Sequence, residues 1–161
     1  MMLIVVLVLL ASGLAIRLYM DRPAENTLRP GEDVAIRELR DPIPGNAFLA
    51  CPPGYCAADA APSPIFAMPM ERLAALWREM LAAQSNTVGV ADEPARNRIV
   101  VIQHTPLLRF PDIVSVEFVA LDSDRSSLAI YSHARYGRGD FGTNRKRVLA
   151  WLSQLQRVAG Q

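Results

Sequence analysis

The chain has 161 residues, 51% of them hydrophobic and 20% charged, with a formal net charge of +1. That balance excludes a disordered chain and a polybasic nucleic-acid binder, and the length suits one globular domain. The charge is nevertheless uneven: residues 135–147 hold Arg135, Arg138, Arg145, Lys146 and Arg147 against Asp140, a local +4 that leaves −3 for everything else.

The first element is an unbroken apolar run from Met2 to Ile16, about 22 Å long as a helix and about 28 Å if carried on to Met20. Residues 1–20 read as an N-terminal membrane anchor, with Arg17 reaching back to the headgroups and Tyr19 at the interface. A cleaved signal segment is the rival, because Gly13 and Ala15 supply small residues, and a buried core helix is the third reading. The lack of Lys or Arg before the run favours the anchor.

Orientation pulls two ways. Arg17, Arg22 and Arg29 follow the span, and the positive-inside rule would keep the domain cytoplasmic. Against this stand Cys51 and Cys56, the only cysteines, in "CPPGYC". Such a loop suits a disulfide worth about 2 kcal/mol, and disulfides persist in the periplasm but rarely in the cytosol. Free thiols are an alternative. A redox pair usually has two intervening residues and opens a helix, and a zinc site needs four ligands while His104 and His133 are distant in sequence. The expected placement is a single-pass inner-membrane protein with its domain in the periplasm.

Residues 21–45 mix charges with prolines and show no apolar period, so they read as a tether, and residues 46–161 as a single α+β domain. "MERLAALWREMLAAQ" puts Met70, Leu73, Trp77, Met80, Leu81 and Gln84 on one helical face, with Pro69 in the first turn. Strands follow at 98–105, 113–122 and 127–134, the last two joined by a turn as an antiparallel hairpin. In the middle strand Val114, Val116, Phe118 and Ala120 make one fully apolar face. Val148, Trp151, Leu152, Leu155 and Val158 stripe a last helix over 143–158. The order predicts a small antiparallel sheet of three or more strands with two amphipathic helices packed on one face.

Two stretches, "TPLLRFPDIVSVEF" (105–118) and "YSHARYGRGDFGTNRKRV" (131–148), together resemble the family called domain of unknown function 1499 (DUF1499). Its hallmarks fall on Cys51 and Cys56, on Phe110, Pro111 and Asp112, and on the run from Ser132 through Arg135, Gly137, Asp140, Phe141, Gly142, Asn144 and Arg145 to Arg147. The resemblance covers roughly 46–155, with Ala134 standing where the family often has a Ser. It implies no enzyme activity.

The terminal motif carries the candidate site. Unpaired amides at the start of the last helix, its dipole, and Arg135, Arg145 and Arg147 beside them make a place for a phosphate or carboxylate. The rival reading is structural: Asn144 lies on the buried stripe, Thr143 or Asp140 caps the helix, and Asp140 can pair with Arg135 or Arg147 to lock the loop. The candidate ligand set is Arg109, Arg135, Asp140, Asn144, Arg145 and Arg147. No catalytic residue, metal or cofactor is assigned, because Ser132 and His133 point to opposite faces of a strand and no known catalytic spacing occurs. The function expected is a non-catalytic binding or assembly module of the cell envelope. Its partners would be the membrane through residues 2–20 and an anionic lipid or an envelope protein, with no nucleic acid. A small hydrolase or thiol-redox accessory protein is the alternative.

Overall fold

The three strands expected from alternation form the centre of the sheet in a computed structural model, which describes residues 1–160. β4 (Arg98–His104), β5 (Pro111–Ala120) and β6 (Ser126–Ala134) pair antiparallel, and Leu121 N–H donates to Arg125 O at 2.9 Å to close the β5–β6 turn. Around them lie β1 (Ala47–Cys51), β2 (Ala61–Pro62) and β3 (Thr87–Glu93), giving the order β2-β1-β6-β5-β4-β3. The sheet is mixed, since β1 and β2 run parallel while every other pair is antiparallel. The outer strands had no readable signal: β2 has two residues, and β3 contains Gly89 and a register shift between Gly89 and Ala91 that breaks its alternation.

Helices cover one face, as the spacing predicts. α2 (Met70–Ala82) and α3 (Thr143–Val158) set Leu73, Trp77, Val148, Trp151 and Leu155 against Val114, Val116 and Phe118 in one buried cluster. The two indoles meet edge to face at 5.8 Å, a geometry that aromatic quadrupoles favour. Gln84 falls just beyond α2, and its amide donates to Gln154 Oε1 at 2.9 Å, tying the helices together.

The opposite face is where expectation and structure part. Residues 21–45, expected as a tether, lie folded against the domain: Glu25 is 3% exposed and Ile36 is fully buried. Ile36 packs with Leu49, Ala129 and Tyr131, and Leu28 packs on Val100, Ile102 and Ile113. The reason is hydrogen bonding as much as apolar area. Ile36 N–H donates to Glu117 Oε1 at 2.9 Å and Tyr55 O–H donates to Glu117 Oε2 at 2.8 Å, so a buried carboxylate in the middle of β5 is satisfied from above. We refer to residues 21–45 as the arm.

α1 (Met2–Met20) is apolar on all sides, and of its residues only Met20 is buried. The helix therefore projects from the domain, and only its last turn touches it. There Arg17 donates to Leu107 O at 3.2 Å, and just beyond the helix Asp21 pairs with Arg109 at 2.9 Å. One helix of this length and composition fits a membrane anchor or a signal segment.

Candidate functional site

The terminal motif sits at the sheet end nearest α1, where β6 gives way to a loop and then to α3. The loop is closed from within by Asp140. Its carboxylate accepts from Gly142 N–H at 2.9 Å and Asn144 N–H at 2.7 Å, and its carbonyl accepts from Thr143 N–H at 3.0 Å. Burial pushes the Asp140 carboxyl up, but the two amides outweigh it and hold it below its ordinary value. The amides expected to be open to an anion are thus the ones Asp140 occupies, two through its carboxylate and one through its carbonyl. Of the two structural roles expected for Asp140, it takes the cap and not a pairing with Arg135 or Arg147.

Asn144 and Arg147 turn inward. Asn144 is fully buried, donates to Asn46 O at 3.0 Å, and accepts from Ser132 Oγ–H at 2.5 Å and Arg147 at 2.6 Å. Arg147 also reaches Ser132 Oγ at 3.1 Å and Asp112 Oδ2 at 2.5 Å. The Asp112 carboxyl is raised by burial, an effect that Arg147 offsets only in part. Asn46 completes the lock by donating to Ala134 O at 3.2 Å and Gly137 O at 2.9 Å. Sequence reasoning missed Asn46, for which no pattern pointed to this role. It placed Asp112 in the family motif without seeing that its partner lies on the last helix.

Arg135 faces the arm. Its side chain is 1% exposed and pairs with Glu25 at 3.0 Å and Glu32 at 2.7 Å, while also donating to the carbonyls of Glu25 and Thr27. Arg29 and Tyr136 join the same cluster through Glu25. Burial raises Glu32, yet the hydrogen bond from Arg135 prevails and leaves its carboxyl lowered. The signal that could have located these partners was the acid content of the supposed tether, with Glu25, Glu32 and Asp33 beside a domain rich in Arg. Asp33 itself binds the nearly buried Arg98.

Arg109 lies apart from the other candidates and holds the end of α1. It adopts φ +62°, and its guanidinium bridges Asp21 and Asn86. Its carbonyl accepts from His104 Nδ1 at 2.8 Å, while Nε2 of this buried imidazole meets the Asn26 side chain at 2.8 Å. His133 stacks on Tyr131 at 5.0 Å on the arm face, and its pKa is lowered by burial. Ser132 points the other way, to Asn144.

Between the 105–110 loop and the motif loop lies a cleft of about 340 Å³. Phe110, Pro111, Ala134, Tyr136 and Phe141 line it, and Asp112 and Asp140 reach its wall already engaged by Arg147 and by amides. The cations left for an outside anion are Arg138 and Lys146, both exposed, and Arg145, which lies over the Phe48 ring at 5.8 Å. Among the described residues no group of three or more His, Cys, Asp and Glu is placed to hold a metal.

Cys51 and Cys56 are joined as a disulfide, with Cα atoms 6.2 Å apart. The loop they close delivers Tyr55 to Glu117, which links the covalent constraint to the arm face. A family model described as a protein of unknown function, DUF1499, matches residues 46–155. No curated protein and no solved structure matches the chain.

Proposed function

The chain belongs to the DUF1499 family of proteins of unknown function, and on that footing we propose a non-catalytic module that is anchored in the inner membrane and works on its periplasmic surface. The observation that carries the reading is the seating of the anchor. Arg17 and Asp21 bind the 105–110 loop, so the sheet end bearing the terminal motif is the end turned toward the bilayer. Arg138, Arg145 and Lys146 there are the cations free to meet anionic headgroups, each worth about 1 kcal/mol near a charged surface. The buried Arg135 and Arg147 instead hold the surface in shape.

The full chain in nanodiscs tests this. Amide hydrogen exchange in the 135–142 loop is expected to be slower in phosphatidylglycerol discs than in phosphatidylcholine discs, and Arg138→Glu with Lys146→Glu should remove the difference. Equal exchange in both lipids for the unaltered chain would sink the reading.

The periplasmic side is supported by the disulfide. Thiol labelling of protein quenched directly from cells should find Cys51 and Cys56 oxidised. Two reduced thiols would put the domain in the cytoplasm, as the positive-inside rule for Arg17, Arg22 and Arg29 would have it.

A further inference from the structure

Phe141 combines two features that the fold does not need. It is fully exposed, and it holds φ +53°, a region that costs a bulky side chain strain and that Asn or Asp enters more readily. The turn around it is fixed by the Asp140 hydrogen bonds, so the ring is presented on a rigid support. Across the cleft Leu107 is 75% exposed at the tip of the 105–110 loop, itself braced by Phe110 N–H donating to Thr105 Oγ1 at 2.9 Å. The Leu107 carbonyl is the group that receives Arg17, so this tip lies level with the end of the membrane helix.

The cleft between the tips suits an uncharged chain. Its walls are mostly apolar, with Phe110 and Tyr136 meeting edge to face at 6.4 Å. Of the acids in the wall Asp112 is neutralised by Arg147, and Asp140, held by neutral amides alone, would repel a phosphate that entered. Arg138, between the lining residues Gly137 and Gly139, stands at the rim, where a phosphate outside would find it. We infer that the cleft binds one acyl chain of a membrane phospholipid, which enters from the bilayer past Phe141 and leaves its headgroup at the rim. This rests on the membrane-facing orientation proposed above and names the part of the lipid that is held.

Phe141→Trp in the full chain supplies a reporter, with Trp77 and Trp151 buried in the core as background. In detergent micelles, titration with phosphatidylglycerol brominated on its acyl chains should quench the added fluorescence and saturate at a single lipid per chain. Excess soluble glycerol phosphate should leave that quenching unchanged. No quenching, quenching that rises without saturation, or displacement by glycerol phosphate would each overturn the acyl-chain site. Phe141→Asp, fully exposed at a φ that Asp tolerates, should fold normally and retain less phospholipid than the unaltered chain by native mass spectrometry; equal retention counts against the site. The exchange experiment in nanodiscs reads headgroup charge and not chain uptake, so a saturable quench with no charge effect, or the reverse, separates the failure of one idea from that of the other.

Discussion

Under α2 and α3 the sheet is closed by Leu73, Trp77, Trp151 and Leu155 lying on Val114, Val116 and Phe118, whereas under the arm it is closed by Ile36, the Glu117 carboxylate and the Arg135–Glu25–Glu32 cluster. The first cover is non-directional and draws on buried apolar area. The second is specified atom by atom, and its charges are tolerable only while every partner stays in place. One sheet therefore carries a robust face and a conditional one.

Breaking the conditional face should give the largest effect. Arg135→Met leaves Glu32 without its cation and Glu25 with only the half-exposed Arg29, and unfolding in urea is expected to show a loss of about 3–5 kcal/mol. Adding Glu25→Gln and Glu32→Gln should restore much of it, since no uncompensated charge then remains buried. A single variant within error of the unaltered chain would mean that the arm is not held this way.

The lock at the start of α3 belongs to the helix face yet uses the same polar logic, so it measures how far the contrast extends. Asn144→Ala removes bonds to Asn46, Ser132 and Arg147, and should cost about 1–3 kcal/mol. Hydrogen exchange should then speed up in 134–144 while the centre of β5 stays protected. Uniform acceleration would show instead that both faces open together.

Acidification sharpens the comparison most gently. The folded His133 has a pKa below its ordinary 6.5, so it favours the fold above that value and withdraws this contribution as pH falls through the folded pKa. Glu32 and Asp140, lowered from 4.5 and 3.8, act alike at lower pH, whereas Asp112, raised from 3.8, works in the opposite sense. Stability should decline in steps on going from pH 7 to pH 3, and His133→Phe should flatten the first step. A profile unchanged by that variant would remove His133 from the account.

Much was legible from the sequence where a single physical period ruled. The stripe Val148–Trp151–Leu155 gave α3 its bounds at 143 and 158, and the alternation of Val114, Val116 and Phe118 marked a fully apolar strand face, which the structure puts under the helices. Asn144 on the buried stripe was readable for the same reason, the cap was narrowed to Thr143 or Asp140 with the structure giving it to Asp140, and the family followed from the motif itself. The arm was not legible, because its hold depends on pairs such as Glu25 with Arg135 and Asp33 with Arg98, which lie 110 and 65 positions apart. Local pattern carries no information about which distant charge answers which. Only the tertiary structure could take cations that looked gathered for an outside ligand and divide them, with Arg135 and Arg147 spent on internal carboxylates, Arg109 on the end of the N-terminal helix, and Arg138, Arg145 and Lys146 left at the surface.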